Sequence, residues 1–178
     1  MNRLHFPFLF TAICALSACA PMALRAKRYS GDGVIRICST FAHQGYAIEF
    51  PRFRADRAYA AVYKLSYVPN ANRAPQVYLH FHSDISSLKT DSFKERVTAA
   101  LRVVLADATG REIQRLDLPL SMAIWSQSGD LFGIYDLDRS DFHFDPASSY
   151  TLRVSYTPGP VPPPTKELYF EIDCCAYY

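Results

Sequence analysis

Along most of this chain, apolar and polar positions alternate instead of recurring at helical spacing. Val77, Leu79 and Phe81 alternate with Tyr78, His80 and His82, and Leu168, Phe170 and Ile172 alternate with Tyr169, Glu171 and Asp173. A period of two sends successive side chains to opposite faces of an extended backbone, so these stretches predict strands with one face on a core. Nine runs of this kind are expected, at 33–38, 45–50, 58–68, 76–82, 98–106, 111–118, 131–137, 149–156 and 167–174. All are rich in β-branched and aromatic residues and are bounded by Gly, Pro, Asn or Asp. Asp107-Ala108-Thr109-Gly110 reads as a tight turn with Gly110 at positive φ. Residues 92–106 carry two patterns. Ser92 to Glu95 has the spacing of a helix capping box, and Phe93, Val97, Ala100, Leu101 and Val104 recur at helical intervals. Leu101, Val103 and Leu105 alternate directly into the turn, which favours a strand from about 98, after at most one helical turn.

Short strands in close succession predict an antiparallel β-sandwich or barrel. Asp145-Pro146-Ala147-Ser148-Ser149-Tyr150-Thr151-Leu152-Arg153-Val154 resembles the start of a late strand in immunoglobulin-like domains, where a tyrosine follows a turn and opens the strand. That resemblance implies an immunoglobulin-like β-sandwich of about nine strands over 33–178. If each strand reverses direction, loops 51–57, 83–97, 119–130 and 157–166 gather at one end, and Cys38 and Cys174-Cys175 lie at the other. A disulfide from Cys38 to Cys174 or Cys175 is then expected. Cys174 shares the phase of Leu168, Phe170 and Ile172 and should point inward, while Cys38 is out of phase with Ile35 and Ile37, which tilts the pairing toward Cys175.

The chain opens Met1-Asn2-Arg3, and no formally charged residue follows until after Ala18. The stretch is shorter than the roughly 20 residues a membrane-spanning helix needs, and it matches the apolar region of a secretory signal. Leu16-Ser17-Ala18-Cys19 resembles the lipobox of bacterial lipoproteins. The resemblance covers these four residues and their flanking signal. It implies cleavage before Cys19, a diacylglyceryl group on its thiol and further acylation (palmitate and similar chains). Each buried methylene contributes about 0.8 kcal/mol to anchoring. Ala20, where aspartate is associated with inner-membrane retention, implies the outer membrane, facing the periplasm. Residues 1–18 are thus expected as a removed signal peptide and 19–32 as a lipidated tether. The whole chain is similar to small proteobacterial lipoproteins carrying such a domain, some of which are immunity partners of secreted antibacterial toxins.

Removing residues 1–18 from the 178 leaves 160, enough for one domain with a substantial core, and removing Arg3 lowers the net charge from +2 to +1. That balance argues against a nucleic-acid partner. Cys38, Cys174 and Cys175 remain, which in an oxidising periplasm reads as one disulfide and one spare thiol. His80, His82 and Asp84 fall at i, i+2 and i+4, on one face of a strand. The spacing resembles the His-x-His-x-Asp of metallo-hydrolases, but nothing else in the chain matches them, so a solvated face without metal is expected. His43 and His143 stand alone and are expected to be exposed. The chain contains no Gly-x-Ser-x-Gly elbow, phosphate-binding loop or dinucleotide fingerprint, and no catalytic set or cofactor is expected.

The shared loop end is the better candidate. It would gather Arg52, Arg54, Arg57, the single tryptophan Trp125, and Pro158 to Pro164, including Pro162 and Pro163. Arginine and tryptophan are enriched at binding hot spots, and a proline-stiffened loop loses little entropy on docking. The competing reading has the arginines solvating a turn, Trp125 plugging the core and the prolines simply connecting strands. The function expected is a membrane-tethered, non-enzymatic lipoprotein that binds a protein in the periplasm. The alternatives are a structural envelope lipoprotein and a metal-dependent hydrolase around His80 and His82.

Overall fold

A computed structural model describes residues 28–39, 44–69, 74–82, 95–128, 131–135 and 142–174. The expected signal peptide, Cys19, His43, Asp84 and Cys175 lie outside the described residues. The described residues are all-β, with twelve strands: β1 (Ser30–Gly31), β2 (Val34–Ser39), β3 (Gln44–Glu49), β4 (Phe53–Arg54), β5 (Tyr59–Ser66), β6 (Gln76–His82), β7 (Ala100–Asp107), β8 (Glu112–Pro119), β9 (Ile124–Ser128), β10 (Leu131–Tyr135), β11 (Ser149–Thr157) and β12 (Glu167–Asp173). Each of the nine expected runs corresponds to a strand. The additions are the two-residue β1 and β4 and the five-residue β9, too short or too polar for alternation to reveal.

Two antiparallel sheets face each other. The smaller runs β1-β5-β11-β7-β8, and the larger runs β2-β3-β12-β6-β10-β9, with β4 also paired to β12. Apart from the β7–β8 hairpin, every connection from β5 to β8 and from β10 to β12 crosses between the sheets. In β3-β12-β6-β10 facing β5-β11-β7-β8, this is the double Greek key of a jelly roll. The expected sandwich is therefore present, but its connectivity is not immunoglobulin-like. There the last two strands share a sheet, whereas β11 and β12 lie in different ones. The local feature behind the resemblance is nonetheless real. The Asp145 N–H donates to the Tyr150 hydroxyl at 2.5 Å, and the Asp145 carboxylate accepts from Ala147 N–H and the Ser148 hydroxyl. A tyrosine corner is a local device for turning into a strand and does not dictate the order of strands.

The core forms where the inward halves of the alternating strands meet. Phe50 stacks on Phe170 with ring centroids 4.2 Å apart, and both tilt against Tyr63 of the opposite sheet. Phe81 and Phe132 stack at 4.9 Å further along. Residues of the ambiguous stretch are extended from Ala100, with Leu101, Val103 and Leu105 buried. Gly110 has φ +87°, and the Asp107 carboxylate accepts from Thr109 and Arg111 to close the turn.

At the chain ends the tether boundary changes, and so does the Cys174 alternative of the expected disulfide; the Cys175 alternative lies outside the described residues. Ser30–Gly31 pairs with β5, and the Asp32 carboxylate accepts from Lys64 N–H, so the last residues assigned to the tether belong to the fold. β2 and β12 both run antiparallel to β3 and hence parallel to each other, as expected, with Cys38 and Cys174 at like ends. However, β3 lies between them. Cys38 is opposite Gly45, and the N–H of Cys174 bonds the carbonyl of Tyr46. Two interstrand steps separate the backbones by roughly 9–10 Å, beyond the reach of about 7 Å that a disulfide spans. Cys174 is a buried free thiol that donates to Tyr46 O and accepts from Tyr46 N–H. Burial pushes it up to about 11.

Loop 157–166 is sewn to the start of β7, with Thr98 N–H donating to Val161 O at 3.1 Å. A Cβ on Gly159 would lie 2.7 Å from the Thr98 carbonyl carbon, and would also clash with the Thr98 side chain. Gly159→Ala is expected to cost roughly 1–3 kcal/mol in denaturant unfolding. Thr98→Ala should not rescue it, because backbone is part of the obstruction.

Candidate functional site

The loop end is assembled largely as strand parity implies. Arg54 pairs with Glu167, Ala55 N–H donates to Lys166 O, Thr98 joins Val161, and Leu120 N–H donates to Ala99 O. Segments 53–55, 97–99 and 159–168, with Leu120, thus form one backbone-bonded end. β4 continues β3 along β12 with the register displaced by one residue, between Glu49↔Glu171 and Phe53↔Leu168. The slip falls at Pro51, which has no N–H to give to a ladder.

The residues expected to bind there divide into two groups. Arg52, Arg54 and Arg57 are exposed. Arg52 lies 5.4 Å above the Tyr169 ring centre and 3.7 Å from Glu167, and Arg54 grips Asp56 through two bonds of 2.9 and 2.6 Å. Pro162 is half-buried and Pro163 buried, so neither offers an open polyproline face. Trp125 is not in a loop. It sits in β9, packs edge-on against Phe81 and donates its indole N–H to Leu120 O at 2.8 Å. For Trp125 the core-plug reading is correct, because the added strand turns its side chain toward the core.

A second constellation lies on the outer face of the larger sheet. Alternation places His80 and His82 there, as expected, and His82 at the strand end is exposed, but around His80 the face is covered. The side chains of His80 and Glu171 are only 12% and 4% exposed. Arg36 of β2 reaches over β3 to place Nη2 3.2 Å from both carboxylate oxygens of Glu171 and 3.3 Å from Glu49. His80 Nε2 lies 3.8 Å from Glu171 Oε2. Its ring stacks between Tyr78 and Tyr169, and lies over Gly133, where an added Cβ would approach His80 Cε1 to 3.4 Å. Asp173 is buried on the same face. The smaller sheet offers a contrast, since its outward Val62, Lys64, Arg102 and Arg153 are all exposed.

Burial sets the electrostatics. It raises the Glu171 carboxyl to about 7, with Asp173 adding to the rise and Arg36 opposing it. It lowers the His80 imidazole to about 4, offset only in part by the nearby Phe132 backbone. Neither ring nitrogen of His80 finds a hydrogen-bond partner among the described residues. Between these values both groups are neutral, so the close His80–Glu171 contact is not an ion pair there. Arg36, held by Glu49, remains the cation. Glu171 can exchange a proton near neutrality, yet among the described residues no three His, Cys, Asp or Glu side chains are placed to hold a metal ion. His143 is exposed beside the buried Phe142. Sequence reasoning missed Arg36, Glu49 and Glu171, because alternation reports which way a side chain points and not what covers it.

No protein-family model matches the chain, and neither curated proteins nor solved structures provide a match.

Two measurements follow. Trp125→Ala should lose about 2–4 kcal/mol in denaturant unfolding, whereas replacing Arg52, Arg54 and Arg57 with Ser should change stability by no more than about 0.5 kcal/mol. Equal effects would contradict the assignment of Trp125 to the core. The second measurement is stability against pH. Glu171 is raised from 4.5 to about 7 on folding, so its contribution is fully present below 4.5 and is lost as pH rises through 7. His80 is lowered from 6.5 to about 4, so its contribution is present above 6.5 and is lost as pH falls through 4. The slopes oppose each other. Glu171→Gln should therefore gain stability relative to the parent as pH rises from 4.5 to 7 and then level off. Parallel profiles would show that Glu171 titrates normally.

Proposed function

We propose that this chain is a lipid-anchored binding module of the bacterial envelope. In this reading it is cleaved before Cys19, held by acylated Cys19 on the outer membrane, and engages a periplasmic protein through the loop end bearing Arg52, Arg54 and Arg57. What supports the reading is the relative position of tether and loops. β1 starts opposite Ser66, and Ser66 pairs with Ser149, at the end of the smaller sheet remote from Tyr59 and Tyr156, where the loop end lies. With β2 as the first strand the chain would enter beside the loops, whereas it enters β1 at the far end, where a tether would join. A tether of some ten residues spans roughly 18 Å if flexible, so the arginines face away from the anchoring surface. Three exposed guanidiniums, each on a different residue of one short segment, suit an acidic protein patch. An immunity protein that holds a secreted antibacterial toxin is the most specific form of this reading.

The test uses the full lipidated chain in membranes. Cys19→Ala should abolish acyl labelling and leave the precursor unprocessed. Capture of a toxin encoded beside this chain should fall about tenfold or more, near 1.4 kcal/mol, when the three arginines become Ser. Undiminished capture by that variant would remove the loop end from consideration, and persistent acyl labelling without Cys19 would remove the anchor.

A further inference from the structure

Among the described residues four strands end the two sheets: β2 and β9 in the larger, β1 and β8 in the smaller. A sheet edge offers a row of unpaired backbone donors and acceptors, and proteins usually protect it with charges, prolines, bulges or short length. Three of these edges follow that rule. β1 has two residues, β8 carries Glu112, Arg115 and Asp117 and ends at Pro119, and β9 has five residues of which Ser126, Gln127 and Ser128 are polar. β2 does not. It reads Val34-Ile35-Arg36-Ile37-Cys38-Ser39, with no proline, and pairs with β3 in unbroken register from Val34↔Glu49 to Ser39↔Gln44. Val34 is 66% exposed and Ile37 42%. Its one charged residue does not guard the edge, because the Arg36 guanidinium is drawn inward over β3 to Glu49 and Glu171.

We infer that β2 is a strand-addition edge whose occupant is β2 of a second copy of this chain, paired antiparallel about a twofold axis. An antiparallel pairing of one edge with itself is isologous, so the backbone row that is unsatisfied in one copy meets its complement in the other. An extended partner peptide would lose about 1–2 kcal/mol of backbone entropy for every residue it ordered. β2 of a second copy is already held straight by β3 and loses almost none. Val34 and Ile37 would leave water at the new ladder. The two Arg36 side chains would approach already balanced by their own carboxylates, which removes the like-charge cost of bringing them together.

The experiment uses the full chain in the membrane, expressed as two differently tagged copies with p-benzoylphenylalanine at position 34. Illumination is expected to give an adduct containing both tags. The same probe at position 62, an exposed site on the smaller sheet, is expected to give none. Ile37→Lys should abolish the adduct while leaving thermal unfolding unchanged. If that variant fails to fold, moving the probe to position 37 with Val34→Lys repeats the test. An adduct lacking the second tag, an equal adduct from position 62, an adduct that survives the lysine, or no adduct at all would each overturn the inference.

Discussion

The structure depends on β12 being buried on both faces. Leu168, Phe170 and Ile172 enter the core on one side, while Tyr169, Glu171 and Asp173 are covered on the other. A strand in that position must solve two problems at once. Its inner residues close the gap between sheets through the Phe50–Phe170–Tyr63 contact. Its outer carboxylates lose water, and a buried charge is tolerated only when it is paired or neutralised. Both solutions are present at Glu171, which Arg36 contacts and which burial keeps protonated up to about pH 7. The imidazole beside it is pushed the opposite way by the same burial.

The jelly-roll connectivity explains why distant segments meet. Crossing between sheets at nearly every step brings residues 53–55, 97–99 and 159–168 to one end, where backbone hydrogen bonds join them. The same winding puts β2, the strand leading out of β1, on the outside of the larger sheet. Arg36 then ties that outer strand to the centre across β3. One guanidinium thereby serves the buried carboxylate and, by turning inward, leaves the edge without a charge. A jelly roll hosts many unrelated activities, so the fold by itself carries no function. Function is carried by the residues the winding exposes and by the end at which the chain enters β1.

The tyrosine corner and the β3–β4 slip show how local chemistry and global order separate. Asp145, Ala147 and Ser148 form their turn within a few residues, and Tyr150 bonds back to it whichever sheet the next strand joins. Pro51 likewise displaces the register from within one segment. Such features can be read from neighbours in sequence and survive a change of topology.

Alternation alone therefore determined the nine principal strands, their inward faces, the inward phase of Cys174 and the turn at Gly110, because a pleated backbone imposes a period of two whatever it packs against. Reversal of each principal strand was enough to gather the loop end as well. Tertiary structure decided the rest. It placed β3 between Cys38 and Cys174, added β9 and turned Trp125 into the core, and made the chain enter β1 at the end remote from the loops. It also brought Arg36 to Glu171, 135 residues away. Each of these depends on which strand lies beside which and on what covers the outward face. A single strand carries no record of either, since its residues point outward in the same pattern whether they meet water or a buried charge.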